Sequence, residues 1–126
     1  MEAYEFPNAE AALLEVVRDV LAVEASVEVL KPRPELFVQL SRVGGVARMI
    51  TDRPMVVCCA WGPSWEEAFT LASGLRRLVH SLTSLDGLPV YRVREVGGLA
   101  RSPDPVAGSP RYQFTAELSL RGSTAP

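Results

Sequence analysis

The chain has 126 residues, 48% of them hydrophobic and 22% charged, with 13 lysines and arginines against 15 aspartates and glutamates. This length fits one domain with a self-standing core, since a chain of this size buries roughly two-thirds of its unfolded surface. A formal net charge of −2 argues against a dedicated nucleic-acid binder, which would carry a basic surplus, though not against DNA passing close by without being gripped. No run approaches the roughly 20 apolar residues that span a bilayer. Met1 to Pro7 carries two glutamates and no basic stretch and does not read as a secretory signal. The two cysteines are adjacent, Cys58 and Cys59, which gives no disulfide framework and suits a reducing cytoplasm.

The first periodic segment runs from Asn8 to Val23, where Ala9, Leu13, Val16, Val17, Val20 and Leu21 recur at helical spacing behind a good N-cap residue, Asn8. Lys31-Pro32-Arg33-Pro34 then breaks regular structure. Leu36 to Val43 reads as a strand, Gly44-Gly45 as a turn and Val46 to Ile50 as a returning strand. Thr51-Asp52-Arg53-Pro54 is a second interruption. Met55 to Trp61 has no polar face and is expected at the centre of a sheet, covered on both sides.

Ser64-Trp65-Glu66-Glu67 matches a capping box. The following helix shows Ala68, Leu71, Ala72, Leu75, Leu78, Val79 and Leu82 on one stripe and is expected to reach Leu85, ended by Asp86-Gly87. Val90 to Val96 and Arg111 to Arg121 read as strands. In the second, Tyr112, Phe114, Ala116, Leu118 and Leu120 alternate with polar residues, as an antiparallel strand with one face on the core requires. Between them Gly97 to Pro110 predicts a long loop of the functional or mobile kind. The expected fold is α+β, a mostly antiparallel or mixed sheet of about four to five strands packed by two helices, in one domain with residues 1–7 and 122–126 frayed.

No set of reactive side chains converges. Cys58 and Cys59 on one strand should point to opposite faces and cannot easily share a metal, and the single histidine, His80, lies on the polar side of the second helix. Asp52 and Asp104 sit beside prolines, where aspartate commonly organises a turn. Neither Gly44-Gly45 nor Gly97-Gly98 has phosphate-loop spacing. Arg92, Arg94, Arg101 and Arg111 form either a basic patch or a solvated strand face. Trp61 and Trp65 read as one packing cluster at the start of the second helix, with a ligand-stacking platform as the alternative. No catalytic residue, cofactor or metal is expected. A small thiol-dependent enzyme using Cys58 or Cys59 with His80, and a ligand-binding α+β module with a pocket near Trp61, stay open as alternatives.

Several short segments occur in a telling order. Thr51-Asp52-Arg53-Pro54 leads into an apolar strand and an alanine- and leucine-rich helix, followed by Val90-Tyr91-Arg92-Val93-Arg94-Glu95-Val96-Gly97-Gly98, Ser102-Pro103-Asp104-Pro105 and Gly108-Ser109-Pro110-Arg111-Tyr112-Gln113-Phe114-Thr115. This order resembles the tail terminator (tail-completion) proteins of long, non-contractile-tailed bacteriophages, particularly those of actinobacterial hosts. The resemblance implies a homohexameric ring, assembled in the host cytoplasm and carried in the virion at the head-proximal end of the tail. Such a ring caps the tube of major tail protein, docks to a head-tail connector or head-completion protein, and leaves a lumen for the genome, with no membrane involved. A ring needs two different patches that meet between neighbours. The candidate subunit or partner interface comprises Gly44, Gly45, Asp52, Arg53, Gly97, Gly98, Arg101, Pro103, Asp104, Pro105 and Arg111.

Overall fold

A computed structural model of the chain describes residues 4–124. In chain order the elements are β1 (Tyr4–Glu5), α1 (Ala9–Leu21), β2 (Glu24–Ser26), β3 (Phe37–Gly44), β4 (Ala47–Arg48), β5 (Thr51–Asp52), β6 (Met55–Trp61), α2 (Trp65–His80), β7 (Ser84–Leu85), β8 (Leu88–Arg101), β9 (Arg111–Arg121) and β10 (Ser123–Thr124). The class is α+β, with a mixed sheet of eight strands where four to five were expected. The long strands β3, β6, β8 and β9 are those the sequence predicts. The surplus consists of pairings two or three residues long, too short to leave a period in the sequence.

β6 lies between β3 and β9 and is antiparallel to both, with Cys58 opposite Leu40 on one side and Phe114 on the other. β8 covers the other edge of β9, and β2 runs parallel to β3 at the far edge. Alternation along β6 divides the core. Val56 and Cys58 join Leu13, Val17, Leu75, Val79 and Leu118 under the two helices, whereas Cys59 and Trp61 join Phe37 on the opposite face. Both helices are capped as their sequences predict: Asn8 Oδ1 accepts from the Ala11 amide at 3.1 Å and Ser64 Oγ from the Glu67 amide at 3.1 Å.

α2 stops at His80, short of Leu85. Asp86 and Gly87 both take positive φ, 51° and 76°, and form a two-residue turn that pairs Leu85 with Leu88. Asp-Gly here is a hairpin turn of the primed type, not a helix stop. The expected loop from Gly97 to Pro110 is also shorter, because β8 continues to Arg101, with Gly97 opposite Thr115 and Arg101 opposite Tyr112. Register shifts on either side of Gly97 absorb the extra residues, as bulges do. Only Ser102 to Pro110 remains outside the strands. At the chain ends β1 pairs with β10, so residues 4–5 and 123–124 form a ribbon where fraying was expected; residues 1–3 and 125–126 lie outside the described residues.

The segment after Gly44-Gly45 does not return along β3. β4 pairs with β5, and β5 pairs with the end of β9. Gly45 has φ 95°, and a Cβ there would run into the Arg53 carbonyl oxygen, so only glycine lets the two backbones pass. Asp52, expected in a turn, is a buried strand residue whose two carboxylate oxygens each accept from Arg42 at 2.9 Å. Arg42 also donates to the Gly44 carbonyl at 3.0 Å and the Gly45 carbonyl at 3.2 Å, and its amide donates to Glu10 Oε2 at 2.6 Å. One guanidinium therefore ties the glycine turn and β5 together, and its backbone ties β3 to α1. Arg42→Met strands the Asp52 carboxylate in a buried site and is expected to destabilise the fold by about 3 kcal/mol, whereas R42M combined with Asp52→Leu loses less. Urea midpoints at unchanged m-value measure both variants.

Candidate functional site

The thiols and the imidazole do not form a catalytic pair. Cys58 is buried beneath the helices and Cys59 faces the other way, with its thiol 3.7 Å from Gln113 Oε1. Burial pushes both thiols above their ordinary value, and for Cys59 this outweighs the opposing pull of Arg111. His80 sits at the end of α2 with Nε2 3.2 Å from Glu95 Oε1, and Arg76 donates twice to the same carboxylate at 2.6 Å. The Arg76 hydrogen bond is the main reason the Glu95 carboxyl is held below its usual range. Among the described residues no group of three or more His, Cys, Asp or Glu could hold a metal ion. The native protein should accordingly resist thiol reagents and react at both cysteines only as denaturant unfolds it. Fast modification of the folded protein would contradict the burial.

Trp61 and Trp65 do not pack together. Trp61 is 1% exposed on the face away from the helices, tilted on Phe37 at 5.5 Å, with the Arg33 and Arg111 guanidinia 5.6 and 5.2 Å from its ring centre. Its indole N–H donates to Asp104 Oδ2 at 3.2 Å. Trp65 lies at the start of α2, edge-on to Tyr112 at 5.6 Å with Arg101 stacked 4.6 Å from its ring centre, and the exposed Phe69 also meets Tyr112. Arg101 and Arg111 thus serve different tryptophans, and Arg94 pairs with Glu117 at 3.3 Å. The four arginines do not make one basic patch.

Asp104 does organise its turn. Oδ1 accepts from the Val106 amide at 2.9 Å and the Ala107 amide at 3.3 Å, while Oδ2 holds Trp61. The Val106 amide contributes most to lowering the Asp104 pKa. Arg111 closes the base of the loop, donating to the Ser102 carbonyl at 2.7 Å and Ser102 Oγ at 3.1 Å. Because the folded-state pKa lies below the unfolded one, the contribution of Asp104 is present above the ordinary carboxylate range and fades as pH falls through the folded value. Asp104→Ala is expected to cost roughly 1–3 kcal/mol near neutral pH, since it orphans the Trp61 N–H. The loss should shrink in acid, as read by Trp fluorescence during denaturation across pH.

The candidate interface residues separate into two groups at opposite ends of the sheet, with Asp52 itself buried. Gly44, Gly45, Asp52 and Arg53 gather at the Met55 end of β6, whereas Arg101, Pro103, Asp104, Pro105 and Arg111 gather at the Trp61 end. Gly97 and Gly98 lie between them along β8. Two further features escape sequence reasoning. Val43 to Met49 is exposed throughout, including Val43 at 55%, Val46 at 72% and Met49 at 83%. A groove of about 560 Å³ opens between the helices, lined by Leu21, Leu36, Leu71 and Gly74 with Glu66, Glu67 and Arg77. The exposed valines and methionine read locally as strand, and the groove joins residues far apart in sequence.

No family model and no curated protein matches the chain. Among solved structures, it is similar to a chain from the virion of a native gene transfer agent particle, over 90% of this chain and 94% of that one, with a TM-score of 0.64 and 11% identity. At that identity the likeness is one of fold.

Proposed function

We propose that the chain is a structural virion protein, a subunit of the ring that caps the tail tube of a long-tailed phage or phage-like particle. The observation that carries this is the fold likeness, nearly end to end in both chains, to a component of a virion. In this role the protein stops polymerisation of the major tail tube protein and joins the tube to the head-side connector. The genome passes through the lumen without sequence-specific contact, for which a net charge of −2 is suitable. No chemistry on a substrate is required.

The two unlike ends of the sheet support a ring of identical subunits, because a cyclic assembly joins one patch to a different patch on the next copy. Burial of Cys58 and Cys59 and the engagement of His80 by Glu95 weigh against a thiol enzyme. A ligand pocket at Trp61 is disfavoured by its buried ring, already covered by Phe37, Arg33 and Arg111.

Particles made without this protein should carry tail tubes of uncontrolled length that fail to join heads, seen by negative-stain microscopy. Tails of normal length joined to heads in its absence would refute the proposal. Removing Ala100 to Gly108 would shorten β8 and delete Asp104, so the sharper loop probe replaces Pro105-Val106-Ala107 with Gly-Ser-Gly. This variant is expected to keep wild-type stability while capping or head joining is lost. Full activity would exclude the loop tip from the interface.

A further inference from the structure

Two exposed surfaces without a role inside the subunit match each other. The first is the β4–β5 hairpin, where Val46 and Met49 project beside two exposed arginines, Arg48 and Arg53. The second is the groove between α1 and α2, apolar along Leu21, Leu36 and Leu71 and acidic at its mouth through Glu66 and Glu67, both exposed. Its volume of about 560 Å³ falls within the range of pockets that enclose compact ligands. The hairpin lies at the Met55 end of the sheet, and the groove opens where α2 leaves the Trp61 end. We propose that the hairpin of one copy seats in the α1–α2 groove of the next, with Val46 and Met49 against the leucines and Arg48 facing Glu66.

Charge selects this pairing over the alternatives. Two hairpins meeting by a two-fold axis would bring Arg48 and Arg53 against their own counterparts. Strand addition at the sheet edges is also disfavoured. On β2 the Ala25 carbonyl already accepts from Arg18 at 3.1 and 2.7 Å, and two β8 edges would oppose arginines 92 and 94. Hairpin into groove is heterologous, so it propagates head to tail and closes into a ring when the rotation allows. Arg77 at the other end of the groove wall restricts where a basic hairpin can enter and so sets its direction.

This contact rests on the ring assembly proposed above, and cysteine cross-linking separates the two. Because Cys58 and Cys59 are buried, the wild-type protein is its own blank for a short bismaleimide at high protein concentration. A Met49→Cys copy mixed with a Thr70→Cys copy is expected to give a covalent one-to-one dimer that neither copy gives alone, and M49C/T70C on one chain is expected to give a ladder. R48E or E66K should each lower the yield about fivefold, and the two together should restore it. No M49C–T70C product above the blank, an M49C–M49C product, or a yield indifferent to the charge changes would overturn the contact. Capture of the T70C copy by the tail tube protein in place of the hairpin would overturn it too. Tube capping by a protein that gives no cross-link would sink the contact and leave the ring standing. A cross-linked ladder from a protein that caps no tube would do the reverse.

Discussion

β6 is apolar on both faces and paired along both edges, and the rest of the subunit is arranged to meet that constraint. A strand of this kind must be covered twice, because each exposed face would leave large side chains in water. The two helices cover one side through Leu13, Val17, Leu75 and Val79. No third helix exists among the described residues to cover the other. There Trp61 and Phe37 are closed off by Arg33 and by the Ser102 to Pro110 loop, with Asp104 accepting the indole N–H. The loop is held because the second face needs it.

This arrangement explains why the two ends of the sheet differ. At the Trp61 end, arginines and an aspartate form a polar cover over apolar surface and aromatic rings. At the Met55 end the half-buried Arg42 pairs with the buried Asp52 and holds a short hairpin whose outer side chains are left in solvent. Without Arg42 the Asp52 carboxylate would be left uncompensated in a buried site, which is costly. The same guanidinium donates to the Gly44 and Gly45 carbonyls and so links the glycine turn to β5.

The proposed ring rests on that asymmetry and not on a reactive group. A subunit whose ends were alike would favour closed dimers, whereas unlike ends favour rings or filaments. Burial suppresses the thiolate at both cysteines, and the imidazole belongs to a surface network with Arg76 and Glu95.

By itself the sequence determined the two capped helices, the four long strands, the central position of Met55 to Trp61 and the divergence of Cys58 from Cys59. Each of these rests on a local signal: a cap residue, a period of 3.6 or 2, or an unbroken apolar run. It also named most of the residues at the two ends of the sheet, without showing that they form two groups. Tertiary structure alone decided that Asp52 is buried against Arg42, that Asp86-Gly87 turns a hairpin, and that Gly97 to Arg101 belong to a strand. It also separated Trp61 from Trp65 and opened the groove between α1 and α2. Each of these outcomes depends on a partner distant in the chain. A glycine, an aspartate or a short polar run has the same local preferences whether it ends a strand or extends one, and only the pairing across the sheet decides between them.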